Sequence, residues 1–122
     1  MPLVTLSQEF YPGSLLSINN PICYETSIVL GFDVLPSNIE NNNYNYIWQK
    51  SWDGSNWFDI ENSNATSYVT NALFIDTYYR VNVYYESIII STNEIIVHVL
   101  PPLDSGILNQ SCITTSDLFP GA

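Results

Sequence analysis

The sequence predicts an all-β fold, and more specifically an immunoglobulin-like antiparallel β-sandwich. Helix-forming residues are scarce, since alanine occurs three times and lysine once among 122 residues. Ile, Val, Tyr and Thr, which suit a pleated and half-buried surface, are abundant. Hydrophobic residues make up 46% of the chain, which is enough to form a packed core. Strand-like segments recur at a spacing of roughly 8–12 residues, as in sandwiches and barrels.

Four segments alternate between apolar and polar residues with the two-residue period of a β-strand. Their repeating faces are Ile28, Leu30, Phe32 and Val34; Tyr44, Tyr46 and Trp48; Tyr79, Val81, Val83 and Tyr85; and Ile95, Val97 and Val99. Turn-forming residues separate the segments, and Asp53-Gly54 gives the strongest hairpin signal. Ser91-Thr92-Asn93 is likewise predicted to be a turn between two strands.

The predicted core is centred on a tryptophan in the middle of the chain. Trp48 takes the place of the core tryptophan of an immunoglobulin-like sandwich, and Tyr79 is the candidate for its tyrosine corner. Leu30 and Val81 stand where antibody domains carry their inter-sheet cysteines. The core is predicted to contain Trp48, Leu30, Phe32, Tyr79, Val81 and Val97.

The two ends of the chain resemble each other, which indicates a tandem array. The segment Val4-Thr5-Leu6 resembles Val97-His98-Val99, which lies 93 residues later in the chain. The glycines that follow these segments, Gly13 and Gly106, are separated by the same 93 residues. We therefore divide the chain into three parts. They are the tail of a preceding repeat or linker (1–12), one β-sandwich repeat (13–102) and the start of a following repeat (103–122).

Two motifs resemble a known family of repeats. They are Trp48-Gln49-Lys50-Ser51-Trp52-Asp53-Gly54-Ser55-Asn56-Trp57 and Thr77-Tyr78-Tyr79-Arg80-Val81. With the glycine and cysteine that precede them, they resemble the immunoglobulin-like repeats of large Bacteroidetes surface proteins. Those proteins include gliding-motility adhesins of the SprB type and other cargo of the type IX secretion system. The resemblance implies an extracellular module for cell adhesion and gliding motility, held at the outer membrane by other parts of its parent protein.

The predicted function is that of a structural spacer or adhesive repeat in an extended cell-surface filament. Pro101-Pro102 predicts a semi-rigid link to the next unit, because proline fixes φ. A formal net charge of −10 makes neighbouring filaments repel each other. The expected partners are neighbouring repeats of the same chain, with a surface polysaccharide or another cell-surface protein as a further partner.

The charge balance excludes two classes of partner. With two basic and twelve acidic residues, the chain lacks the positive surface that binds nucleic acid or an anionic membrane. Its longest apolar runs, such as Ile88-Ile89-Ile90, are too short to span a bilayer. We therefore expect no nucleic acid partner and no direct membrane insertion.

The sequence predicts no catalytic residue and no cofactor. The single histidine, His98, is predicted to face solvent on an alternating strand, and no spacing places a cysteine beside it. Asp53, Asp59 and Glu61 are predicted to be turn and surface residues rather than a catalytic carboxylate pair. We therefore expect that the protein is not an enzyme.

Calcium is the one metal that the acidic composition favours. Asp104 lies close to Pro101-Pro102, where a bound ion would stiffen the junction between repeats. The acidic residues are scattered and form no Asp-x-Asp-x-Asp run, so solvating charge is the preferred interpretation.

The two cysteines are predicted to be free thiols. Cys23 and Cys112 occupy equivalent places in successive units, which should lie about one module apart. A disulfide requires Cα atoms within about 7 Å, so a Cys23–Cys112 bridge is the less favoured alternative. The family resemblance implies pairing of Cys23 with a cysteine after the Tyr-Tyr-Arg strand, but the sequence has none in 87–91.

Carbohydrate binding is the alternative function. Flat aromatic faces form platforms for sugars, and Trp52, Trp57 and Tyr84 are the candidate glycan contacts. Trp57 and Phe58 are adjacent in a strand-like segment, so one of the two is predicted to face the core.

Overall fold

The computed structural model of the protein describes residues 10–37 and 43–101, in which all regular structure is β-strand. The prediction of an all-β protein is confirmed. No helix within these residues is long and apolar enough to cross a membrane. The strands are β1 (Ser14–Leu15), β2 (Ile22–Cys23), β3 (Val29–Val34), β4 (Asn45–Ser51), β5 (Phe58–Asp59), β6 (Ser67–Val69), β7 (Thr77–Tyr85), β8 (Ile88–Ser91), β9 (Ile95–Val97) and β10 (Val99–Leu100).

Two antiparallel sheets face each other and form a β-sandwich. One has the strand order β1-β3-β6, and the other has the order β5-β4-β7-β8, with β9 also paired to β7. The ring of Trp48 on β4 lies 6.1 Å from that of Phe32 on β3 and 5.8 Å from that of Tyr68 on β6. The ring of Tyr79 on β7 lies 6.3 Å from that of Tyr68. These aromatic contacts across the gap place the core between the two sheets.

The predicted core residues lie in this gap. Five of the six are at most 1% exposed: Trp48, Leu30, Tyr79, Val81 and Val97. Phe32, the sixth, is partly buried and packs against the others. Leu30 on β3 and Val81 on β7 thus provide apolar packing from the two facing sheets.

The indole of Trp48 connects its strand to the segment that leads into β6. Its Nε1 donates a hydrogen bond to the carbonyl oxygen of Ala65 at 2.9 Å. The backbone N–H of Trp48 donates to Oγ of Ser63, also at 2.9 Å. Because this tryptophan is fully buried, the partner for its N–H is part of what makes its burial favourable.

The predicted turn at Ser91-Thr92-Asn93 is wrong. The strands on either side of it, β8 and β9, both pair antiparallel with β7, so the chain does not reverse between them. The backbone N–H of Thr92 donates to the carbonyl oxygen of Val81 at 2.9 Å, and Oγ1 of Thr92 accepts from the N–H of Val81 at 3.0 Å. A buried threonine therefore keeps one interrupted strand attached to β7 where a turn was expected.

The incoming chain runs alongside the outgoing chain in the same direction. Oδ1 of Asn93 accepts a hydrogen bond from the N–H of Leu15 at 2.7 Å. Further along, β2 pairs parallel with β10, Ile22 opposite Val99 and Cys23 opposite Leu100. Residue numbers thus rise together on both segments, and the chain enters at one end of the sandwich and leaves at the other. We call these ends the incoming pole and the outgoing pole.

Phe10 and Gly13 fix the chain at the incoming pole. Phe10 is 5% exposed, and its ring lies 5.5 Å from that of Tyr44 and 5.7 Å from that of Tyr85. Gly13 has a φ of 85°, and a Cβ there would lie 2.9 Å from the backbone nitrogen of Pro36. Phe10 therefore packs on the sandwich, although the sequence assigns 1–12 to a preceding repeat or linker.

Cys23 is disulfide-bonded, which corrects the prediction of a free thiol. Cys112, the only other cysteine of the chain, lies outside the described residues. The prediction fails because it took the repeat offset as a distance in space. Leu100 is the ladder partner of Cys23, so the chain passes Cys23 as it leaves the sandwich. Residues 102–122 therefore start near Cys23 in space, although they are far from it in the sequence.

Replacing Trp48 by Ala should lower the free energy of unfolding by about 3–5 kcal/mol, because the change leaves a cavity in the core. It also leaves the carbonyl oxygen of Ala65 without its donor. Urea unfolding followed by circular dichroism measures the loss. The matched control is Trp52→Ala, since Trp52 is 50% exposed and its removal opens no core cavity. Equal unfolding midpoints for the two variants would contradict this account of the core.

Candidate functional site

An aromatic hollow lies at the turn between β4 and β5. Its volume is about 460 Å³, and it is lined by Trp52, Asp53, Ser55, Asn56, Trp57 and Phe58. β4 and β5 pair antiparallel, with Lys50 opposite Phe58, so the hairpin predicted from Asp53-Gly54 is confirmed. The hairpin brings aromatic rings from both of its arms to one place.

Asp53 organises the turn through its carboxylate. Oδ1 accepts hydrogen bonds from the backbone N–H groups of Ser55 and Asn56, both at 2.8 Å, and from Oγ of Ser51 at 3.0 Å. Oδ2 accepts from Nδ2 of Asn56 at 2.7 Å. Gly54 follows with a φ of 77°, a conformation that glycine adopts without strain. Both carboxylate oxygens are therefore used to hold the loop.

These donors keep Asp53 ionised. The backbone N–H groups of Asn56 and Ser55 lower the pKa of Asp53 well below its usual range, and the side chains of Asn56 and Ser51 act in the same direction. A carboxylate in this state accepts hydrogen bonds and has no proton to donate. Asp53 is therefore suited to shaping a loop and unsuited to general acid catalysis.

Trp52 is the most accessible ring of the hollow. It is 50% exposed, and its ring lies 5.4 Å from that of Phe58 at an interplanar angle of 45°. Nζ of Lys50 lies 5.5 Å from the centroid of the Trp52 ring. Half of this large apolar side chain thus remains available for contact with another molecule.

Trp57 is held beneath an arginine on the outer face of the sheet. Cζ of Arg80 lies 4.2 Å from the centroid of the Trp57 ring. Nε of Arg80 donates to Oε1 of Gln49 at 2.7 Å, and Nε2 of Gln49 donates to Oδ1 of Asp59 at 2.6 Å. A chain of polar contacts therefore fixes the guanidinium over the ring, and Trp57 is partly buried.

The prediction that Trp57 or Phe58 faces the core is wrong. Trp57 lies under Arg80, and Phe58 is 48% exposed. The reason is the position of β5, a two-residue strand at the edge of its sheet. Alternation assigns each residue to a face of the sheet, but an edge strand has a buried face only where the opposite sheet covers it.

The structure brings together two of the three predicted glycan contacts. Trp52 and Trp57 both line the aromatic hollow. Tyr84 is elsewhere on β7, where it pairs with Asn45 of β4 and Ile89 of β8. It lies four residues, or about 13 Å, beyond Arg80 along the strand. Phe58 also lines the hollow and is absent from the predicted set. The Asp-Gly hairpin signal could have identified it, because a hairpin brings residues on its two arms together.

A histidine and a carboxylate form an exposed pair at the start of β10. Nδ1 of His98 lies 3.0 Å from Oδ2 of Asp76, and both side chains are exposed. Oδ1 of Asp76 accepts from the N–H of Val99 at 2.7 Å, and this bond holds the pKa of Asp76 below its usual range. The pairing of β2 with β10 places Cys23 opposite Leu100, and the N–H of Ile22, the residue before Cys23, donates to the carbonyl oxygen of His98 at 2.9 Å. Because its sulfur is in a disulfide, Cys23 offers no thiolate for nucleophilic catalysis.

Acidic side chains do not converge in the part of the chain that the structure describes. No group of three or more His, Cys, Asp or Glu residues stands close enough there to hold a metal ion. Asp104, the candidate calcium ligand, lies outside the described residues. Calcium at the junction therefore stays a prediction.

Comparison with known families identifies the family to which the chain belongs. The sequence model of a domain of unknown function, DUF8696, matches residues 13–101, which is most of the chain. The chain therefore belongs to this family. No curated protein matches it.

The pKa of Asp53 has a consequence for stability. A pKa lowered by folding stabilises the folded state above the unfolded value of about 3.9, and this contribution is lost as the pH falls below that value. The difference in unfolding free energy between the wild type and Asp53→Asn should therefore be full at neutral pH and shrink on acidification. Chemical unfolding at a series of pH values measures it. A difference that is constant or grows towards low pH would contradict the hydrogen-bonding role of the carboxylate.

Proposed function

We propose that this member of the DUF8696 family is an immunoglobulin-like spacer module of an extended bacterial cell-surface adhesin. In this proposal the module forms no active site and binds mainly its neighbours in the same chain. Its task is to add length and to present other parts of the parent protein away from the cell. Because the sequence resembles the repeats of gliding-motility adhesins, we also propose that the parent protein is exported by the type IX secretion system and takes part in gliding.

The observation that carries this proposal is the parallel course of the incoming and outgoing segments. Asn93 holds Leu15 near the incoming pole, and β10 pairs parallel with β2 near the outgoing pole. A chain that enters and leaves at opposite poles lengthens with every added unit. A module with both ends at one pole would add bulk without adding reach.

The strand order supports the immunoglobulin-like part of the proposal. The sheet β1-β3-β6 corresponds to strands A, B and E of such a sandwich, and β5-β4-β7-β8 corresponds to C′, C, F and G. Trp48 then lies on strand C, as the core tryptophan of the fold does. Tyr79 lies on strand F, fully buried.

Charge and sulfur chemistry support an extracellular location. A net charge of −10 spread over a chain of 122 residues keeps neighbouring filaments apart and soluble. Disulfides such as that of Cys23 persist outside the cytoplasm, where thiols are not kept reduced. Both features fit a fibre held away from the cell surface.

Small-angle X-ray scattering on proteins that join one, two and three units at the 93-residue period tests the proposal. We expect the maximum dimension to grow steadily, by at least about 30 Å per unit, since the nine residues of β7 alone span that length. Replacing Pro101-Pro102 by Gly-Gly is the matched control, and it should broaden the distribution of distances without changing the single unit. A maximum dimension that fails to grow with unit number would refute the spacer.

Carbohydrate binding at the aromatic hollow is a second candidate, favoured by the exposed ring of Trp52. Ser55 and Asn56 border this ring and offer polar groups to a sugar. The carboxylate of Asp53 adds little, because it already accepts four hydrogen bonds from its own loop.

If the hollow binds glycans, titration with surface polysaccharides should change the emission of Trp52. Trp52→Phe should then remove the response, and Tyr84→Phe should retain it, because Tyr84 lies away from the hollow. The absence of any response across a broad set of polysaccharides, with the protein folded, would leave the spacer as the function.

A further inference from the structure

We infer that the outgoing pole is a docking surface for residues 102–122 of the same chain. The surface consists of Tyr24, Phe74 and Ile75 together with the cavity beside them. The inference goes beyond the spacer proposal, since an extended array requires ends at opposite poles but no packed contact between one unit and the next segment of the chain.

Large apolar side chains are exposed together at this pole. Phe74 is 50% exposed and Ile75 is 56% exposed, in the short segment before β7. Tyr24 lies against Phe74 with ring centroids 5.1 Å apart, edge to face. Thr26 pairs with Leu73 in an isolated bridge, which holds the two segments side by side. A contiguous apolar patch of this kind is typical of an interaction surface.

A cavity of about 360 Å³ opens beside the patch. Its walls include Trp52, Leu73, Phe74 and Ile75, and its inner end reaches the core at Tyr79. Lys50 also lines it and is one of only two basic residues in the chain. The cavity thus combines mainly apolar walls with a single positive charge.

The outgoing chain starts beside this surface. Leu100 pairs with Cys23, the residue directly before Tyr24, and Asp76 next to Ile75 accepts from the N–H of Val99. The twenty-one residues after Pro101 therefore begin at the edge of the patch. Even a few extended residues, at about 3.3 Å each, suffice to cross it.

The composition of this segment complements the surface. Its apolar residues are Leu103, Ile107, Leu108, Ile113, Leu118 and Phe119. It also carries Asp104 and Asp117 and has no basic residue, which suits a cavity whose one charged wall is Lys50. A second copy of the chain is a poorer occupant, because two molecules of charge −10 repel each other.

The disulfide adds an independent argument. Cys23 is bonded and lies at this pole, directly before Tyr24. The only other cysteine in the chain is Cys112, which belongs to the segment that we assign to the surface. A bond between these two sulfurs would tether the segment over the patch and lower the entropy cost of its docking.

Hydroxyl-radical footprinting of the full chain, read by mass spectrometry, tests the inference. Val29 and Val69 are the internal controls, because they are paired on β3 and β6 and are 64% and 59% exposed. We expect oxidation of Ile75 to be severalfold slower than that of these valines, despite its similar exposure. Equal rates for Ile75 and the valines would overturn the inference.

A variant of the segment identifies the occupant. Ile107→Asp combined with Leu108→Asp should raise the oxidation of Ile75 to the level of Val29. Asn109→Asp, the control for added charge, should leave it slow. Protection that survives the double variant, or that rises with protein concentration, would assign the surface to a second copy and overturn the inference. The spacer proposal is tested separately, since rod length does not depend on this protection.

Discussion

The parallel alignment of the incoming segment with the outgoing strand is the constraint on which the rest of the structure depends. The N–H of Ile22 donates to the carbonyl oxygen of His98 at 2.9 Å, and the side chain of Asn93 binds the backbone of Leu15. These contacts join the first and last parts of the described chain, which no local interaction would bring together. They place the entry of the chain at one pole and its exit at the other. A series of such units joined end to end is therefore extended.

The outgoing strand reaches this position by changing partners. β9 pairs with β7 up to Val97, and β10 then pairs with β2. The N–H of Val99 no longer bonds to β7 and instead donates a hydrogen bond to the carboxylate of Asp76. Thr92 likewise satisfies a backbone group at the interruption between β8 and β9, where its Oγ1 accepts a hydrogen bond from the N–H of Val81. Polar side chains thus satisfy the backbone at both irregularities, which lets the chain leave β7 and form a separate two-stranded pair with β2 while these N–H groups stay paired.

Sequence reasoning succeeds where burial is periodic and fails where pairing is short or irregular. Trp48, Leu30 and Val81 are predictable because their strands are long and both sheets cover them. The pairing of β2 with β10 is not predictable, because each strand has two residues and neither shows a period. The prediction of a free thiol at Cys23 overlooked this pairing, which sends the outgoing chain past that residue. In the candidate site, the Asp-Gly turn is predictable, but the exposure of Phe58 depends on how far the opposite sheet extends.

The most direct test of the central claim is an NMR measurement of the hydrogen bond between Ile22 and His98. A scalar coupling across this bond, from the amide nitrogen of Ile22 to the carbonyl carbon of His98, reports the pairing partner without reference to any other part of the fold. The account predicts that this coupling is observed and that the amide of Ile22 is protected from hydrogen exchange. An unprotected Ile22 amide, or a coupling to a carbonyl that makes the two segments antiparallel, would contradict the claim that the chain enters and leaves at opposite poles.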